Sequence, residues 1–159
     1  AMTGADIISI HGLGSSAMVS AARKGAEEAA EKCGRERCRL VAISVLTSMD
    51  QDALAEIGVT SPIAEEVARL ANLSYGAGAD GIVCSPQEAA QMRELLGPDA
   101  LIVTPGVRPA GSAVGDQKRI ATPAAAIEAG SSKLVVGRPI TAADDPVAAF
   151  DAICEELMA

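Results

Sequence analysis

The feature that most constrains this chain is a recurring unit: a short apolar run, a break marked by glycine or proline, then a longer polar and alanine-rich stretch. The apolar runs begin near positions 6, 40, 81, 101 and 133. Runs this short and this continuously apolar suit strands buried on both faces. Between them, helical patterns occupy residues 16–32 and 51–56, then run from Ser61-Pro62 to Tyr75, from Ser85-Pro86 toward Gly97, from Thr122-Pro123 to Gly130, and onward from Asp145-Pro146. Proline opens several of these because the first turn of a helix has no use for its missing N–H, and glycine closes them. Parallel neighbouring strands need long crossovers, so the alternation predicts an α/β fold with a parallel sheet.

Two closures satisfy such a sheet: an open doubly wound layer and a (β/α)8 TIM barrel. Five strands nominally favour the first. The second is favoured by a chain that starts almost at once with a strand, and by strands that each end in a polar or glycine-rich loop, as when a site gathers at one end of a barrel. A partial barrel of five strands would leave two open edges and an apolar inner face. Either the sheet is open or something supplies the missing strands. With 159 residues, a single domain over 1–159 is expected.

Composition narrows the function classes. The chain is 49% hydrophobic but has one tyrosine, one phenylalanine and no tryptophan, so its core is built from aliphatic side chains. A formal net charge of -8 opposes binding to nucleic acid or an anionic membrane, while leaving room for a local anion site. Arg23, Lys24, Lys32, Arg35, Arg37 and Arg39 alternate with Glu27, Glu28, Glu31 and Glu36, which reads as a solvated helix face and the turn after it. Cys33, Cys38, Cys84 and Cys154 form no CxxC pair and have one histidine to join them, so no metal site is expected. They read as small buried hydrophobes in a reducing compartment. No leader pattern and no membrane-length apolar run occurs, and the expected location is the cytoplasm.

Polar residues at the strand ends are the candidates for chemistry. Val136-Gly137-Arg138 sets a glycine, which permits close backbone approach, beside a planar guanidinium suited to phosphate. The alternative is an ordinary surface arginine ending a strand. Thr104-Pro105-Gly106-Val107-Arg108-Pro109 opens a long polar loop through Gly111, Gly115, Asp116 and Gln117. That loop either folds over a ligand, with Gln117 donating and accepting hydrogen bonds, or is a surface connection. Thr47-Ser48-Met49 follows the second strand, where Ser48 can hydrogen-bond a polar heterocycle. His11, at the end of the first strand, reads as a pocket wall or a core-side hydrogen-bonding group before a proton-transfer group.

Taken in order, Val45-Leu46-Thr47-Ser48-Met49, Asp80-Gly81-Ile82-Val83-Cys84-Ser85, Val103-Thr104-Pro105-Gly106-Val107-Arg108-Pro109, Gly115-Asp116-Gln117-Lys118-Arg119 and Val136-Gly137-Arg138-Pro139-Ile140-Thr141 closely resemble bacterial-type orotidine 5'-phosphate decarboxylase. The resemblance implies a (β/α)8 barrel, commonly dimeric, that converts orotidine 5'-monophosphate to uridine 5'-monophosphate and carbon dioxide without a metal or organic cofactor. It assigns Ser48 to the pyrimidine ring, Gln117 to a closing loop that contacts phosphate and base, and Gly137 with Arg138 to the phosphate. Pro109 lies near the start of that loop as a pocket-lining residue, and Thr47 is a neighbour of the site.

The departure from the family pattern is an Asp-x-Lys-x-x-Asp motif, which furnishes the lysine and carboxylates around the reacting carbon and does not occur in residues 1–159. Against the family, the chain looks like strands four to eight. Lys118 and Lys133 stand at other positions and do not replace the missing lysine. The resemblance therefore implies binding residues without a catalytic one, and a chain that is inactive alone or joined by a complementary barrel fragment. A noncatalytic nucleotide- or phosphate-binding partial barrel is the alternative.

Overall fold

The computed structural model describes residues 1–109 and 115–158, so Gly111 of the polar loop lies outside the described residues. The elements are β1 (Ile7–His11), α1 (Ser15–Cys33), β2 (Arg39–Ile43), α2 (Gln51–Glu56), α3 (Ile63–Gly76), β3 (Gly81–Val83), α4 (Ala89–Leu96), β4 (Leu101–Thr104), α5 (Pro123–Glu128), β5 (Lys133–Leu134), α6 (Arg138–Thr141) and α7 (Pro146–Met158). The five strands pair in parallel in the order of the chain, β1 to β5. Sequential parallel order with a helix at every crossover is how a (β/α)8 barrel is wound, and the sheet is a five-strand part of one. A doubly wound sheet would reverse its strand order part-way.

The two faces of the sheet are buried differently. Ala42, Ile82 and Ile102 pack with Val19 of α1, Val67 and Ala71 of α3, and Ala89 and Met92 of α4. Each large aliphatic side chain fully removed from water there contributes about 1.5–3 kcal/mol. Val41, Leu101 and Val103 form a smaller cluster on the opposite, concave face, with Val83 half-buried against it. Register carries alternate residues onto that concave face, so His11, Ile43, Val83, Val103 and Lys133 lie in one row across all five strands. Gly81 is demanded by close approach: a Cβ there would fall 1.9 Å from the Leu101 carbonyl oxygen.

Helix ends follow the sequence signals. Asp50 caps α2 by accepting from the Ala53 amide at 3.0 Å, and Thr122 caps α5 by accepting from Ala125 at 3.3 Å. Before α4, the Ser85 hydroxyl accepts from the Gln87 amide while the Glu88 carboxylate accepts from the Ser85 amide at 2.8 Å, a reciprocal capping box.

Four details differ from the sequence reading. The apolar run of β2 stops pairing at Ile43 instead of Leu46, because Ser44 turns its amide and hydroxyl onto the Val83 carbonyl and the chain then folds over the sheet's end. β5 has two residues where the sequence pattern runs the strand on to Val136, and the backbone turns at Gly137 into the short helix α6, so Arg138 begins a helix instead of ending a strand. Arg37 is no solvated charge: its guanidinium forks onto Asp80 with two contacts of 2.7 Å, and Asp80 also accepts from the Leu40 amide at 2.7 Å. Finally, Cys38 and Cys84 are buried as expected, but Cys33 is exposed at the end of α1. Among the described residues no helix is long and apolar enough to cross a membrane, and no three His, Cys, Asp or Glu side chains cluster as a metal would require.

Candidate functional site

The concave face of the sheet forms the floor of a cavity of about 590 Å³. Inward-facing residues of the strands, among them Ile7, Val41, Ile43, Val83 and Val103, make the floor apolar. Its polar groups come from Ser9 and Lys133 on the outermost strands and from the segments that follow β2 and β4, namely Thr47, Ser48 and Gln117. An apolar hollow with a few convergent polar groups at the C-terminal ends of parallel strands is the usual form of a small-molecule site.

Those polar groups are tied together. The Thr47 hydroxyl donates to the Gln117 side-chain oxygen, and the Lys118 amide donates to the Thr47 carbonyl at 3.2 Å. Gly106, at φ +76°, brings the turn after β4 so close to this segment that a Cβ would lie 3.1 Å from the Arg119 carbonyl and 3.3 Å from Gln117 Oε1. A side chain at 106 would both strain the backbone and intrude on the glutamine.

Beside this pair stands Arg138, whose guanidinium forms an ion pair with Asp116. Both side chains are more than half exposed, so the pair is held weakly and an incoming anion can compete for the guanidinium. Arg138, and then the amide of Gln117, hold the Asp116 carboxyl below the usual carboxylate range. Gly115, at φ +65°, packs directly against the same guanidinium, where a Cβ would lie 2.9 Å from Arg138 Nη1. The chain thus joins the segment bearing Gln117 to the start of α6.

The expected site residues divide into two groups. Thr47, Ser48 and Gln117 line the cavity together, and Arg138 reaches the same segment through Asp116. Gly137 is exposed at the cap of α6, where its carbonyl accepts from the Ile140 amide at 2.9 Å, and it is outside the cavity wall. Pro109 is half-buried and also outside the wall. His11 shares the inner-face row of Ile43 and Lys133 but is exposed on β1, an outermost strand among the described residues. Lys118 is engaged elsewhere, 2.5 Å from Asp50, whose carboxyl it holds down.

Two buried cations escaped the sequence reading, where they stand only inside longer motifs. Arg108 is 7% exposed and donates to the Val107 carbonyl at 2.8 Å. Arg119 is 8% exposed and forms an ion pair with buried Glu88. Burial pushes the Glu88 carboxyl up, against the pull of Arg119 and the Ser85 amide. A buried arginine is rare unless paired, and sequence carries no sign of which arginine will be buried.

A profile described as Orotidine 5'-phosphate decarboxylase / HUMPS family matches residues 1–153. The chain belongs to that family. It is 50% identical over 155 residues to the orotidine 5'-phosphate decarboxylase of Moorella thermoacetica, covering 97% of the chain and 62% of that protein. Identity is 54% over 153 residues to the same-named protein of Halorhodospira halophila, covering 96% of the chain and 63% of the relative. The crystal structure of orotidine 5'-phosphate decarboxylase from Lactobacillus acidophilus superimposes with a TM-score of 0.83 at 42% identity, covering 99% of the chain and 66% of that structure. The chain therefore spans a little under two thirds of the length of both curated relatives.

Proposed function

We propose that this chain carries the pyrimidine- and phosphate-binding part of an orotidine 5'-phosphate decarboxylase and takes orotidine or uridine 5'-monophosphate as its ligand. The observation that carries the reading is the meeting of Thr47, Ser48 and Gln117 at the mouth of an apolar cavity, with Arg138 joined to the same segment through Asp116. Ser48 and Gln117 supply hydrogen bonds to the pyrimidine edge. Arg138, with the backbone at Gly137, receives the phosphate, which displaces Asp116 from the guanidinium. Thr47 borders the bound nucleotide from the cavity wall.

In the complete reaction the bond from the pyrimidine ring to the carboxylate breaks, carbon dioxide leaves, and a lysine protonates the ring carbon. Binding energy spent on phosphate and base serves that step only if the reacting groups are also in place. No Asp-x-Lys-x-x-Asp sequence occurs in residues 1–159. On this reading the five strands are strands four to eight of the barrel, and the lysine and carboxylates come from a complementary barrel segment. The assembly is a cytoplasmic homo-oligomer without a cofactor. Oligomerisation of identical chains would not restore the lysine.

The absent motif favours a second reading, a binding module with no turnover. Calorimetric titration of the 159-residue chain with uridine 5'-monophosphate and with uridine tests what both readings share. Saturable binding that is tighter for the monophosphate is expected, and equal affinity for the two would remove the phosphate grip from the account.

A further inference from the structure

Arg119 has no part in the contacts assigned above, yet its buried guanidinium reaches three groups beside them. One nitrogen of its guanidinium meets Glu88, and another donates to the carbonyls of Val45 and Leu46, each at 3.1 Å. Those two carbonyls belong to the residues immediately before Thr47. The Arg119 backbone is held as well, since its carbonyl accepts from the Ser85 hydroxyl at 3.0 Å. Glu88 is fixed in turn by the Ser85 amide at 2.8 Å. One buried group therefore joins three strand ends: the segment after β2, the capping box after β3, and the loop that returns after β4.

We propose that Arg119, held by Glu88, is a positioning residue that sets the spacing between the Thr47-Ser48 turn and Gln117 and so presents Ser48 and Gln117 to the base of the bound nucleotide. The inference rests on the nucleotide reading for its ligand, but its structural half stands alone. Gln117 lies two residues before Arg119, and the amide of the intervening Lys118 donates to the Thr47 carbonyl. With the guanidinium gripping residues 45 and 46 from one side and the Lys118 amide gripping Thr47 from the other, the two segments cannot slide past each other. A planar fork can serve a carboxylate and two carbonyls at once, whereas a lysine ammonium with the same charge lacks that fixed geometry. None of these bonds ends on Arg138, so its contact with the phosphate should depend on them far less than the base contacts do.

The test uses the 159-residue chain with Arg119→Lys and Glu88→Gln, each checked for an intact cooperative thermal transition. In the ligand-free proteins, hydrogen exchange of the Lys118 amide should accelerate about tenfold while the Ile102 and Leu101 amides of β4 keep their protection. In titrations, affinity for uridine 5'-monophosphate should fall about tenfold while affinity for ribose 5-phosphate stays within about twofold. Unchanged Lys118 exchange in folded variants would overturn the positioning role, as would equal losses for both ligands. Failure of the unaltered chain to bind uridine 5'-monophosphate would instead sink the nucleotide reading, and the exchange result would still decide whether Arg119 positions the segment. Glu88→Gln keeps the shape of the side chain but only one of the two oxygens that accept from Arg119 and the Ser85 amide, so it loosens the same link and answers the same question if Arg119→Lys does not fold.

Discussion

Arg138 carries its charge in the open, paired with a similarly exposed Asp116. A phosphate offers that guanidinium more acceptor oxygens than one carboxylate does, in a geometry its fork matches. Arg138→Ala should therefore weaken uridine 5'-monophosphate by about tenfold or more and uridine by much less, read by parallel titrations. Equal losses would remove the arginine from the phosphate. Cys84 shows the opposite extreme. Burial, then the neighbouring Glu88, pushes its thiol up to about 12, with Arg119 pulling the other way. The thiolate is the reactive form, so Cys84 should resist iodoacetamide in the native protein while exposed Cys33 is alkylated, as peptide mass mapping would show. Modification of Cys84 at a rate like that of Cys33 would contradict its buried setting. At this scale the sequence was partly legible. The motif around Thr47 and Ser48 marked a segment that lines the cavity, but which of two adjacent hydroxyls meets Gln117 depends on a turn no pattern reveals, and the structure gives the contact to Thr47.

Between elements, the firmest polar link at the N-terminal ends of the strands is the fork of Arg37 on Asp80, which ties the entry of β2 to that of β3. Burial opposes ionisation of Asp80, but Arg37, the Leu40 amide and Arg23 together outweigh it and hold the carboxyl below its ordinary value. The unfolded chain, with an aspartate near the usual pKa of about 3.9, then binds more protons in that window than the folded one. The stabilisation is complete above the unfolded value and is lost as pH falls through the folded one. In urea titrations the stability gap between the unaltered chain and Asp80→Asn should thus be widest near neutrality and close below about pH 4. A gap that persists unchanged to pH 3 would contradict the linkage. Helix starts were legible here because proline, serine, threonine and aspartate mark them locally. The ion pairs were not: Arg37 and Asp80 are 43 residues apart and Glu88 and Arg119 are 31 apart, and charge alternation does not say which partners the fold will bring together.

As a whole, the molecule is a parallel sheet covered by helices on its outer face and left concave on the other, with β1 and β5 as its outermost strands among the described residues. Ile7 and Val135 border the concave face and remain 38% and 49% exposed. Apolar side chains in that position are those a closed barrel would cover. The repeated unit made the parallel α/β fold readable, because crossover length and strand hydrophobicity are local properties. Its closure was not readable from periodicity, because an open sheet and a barrel use the same unit, and only strand order and the family relationship separate them. On the proposed reading this chain grips the nucleotide and lacks the groups that react with it. Equilibrium dialysis of the 159-residue chain against orotidine 5'-monophosphate, with the nucleotides on both sides identified afterwards, tests both halves in one measurement. Excess orotidine 5'-monophosphate on the protein side, still carrying its carboxylate, is the expected result; equal concentrations across the membrane, or conversion to uridine 5'-monophosphate at the pace of a complete enzyme, would contradict it.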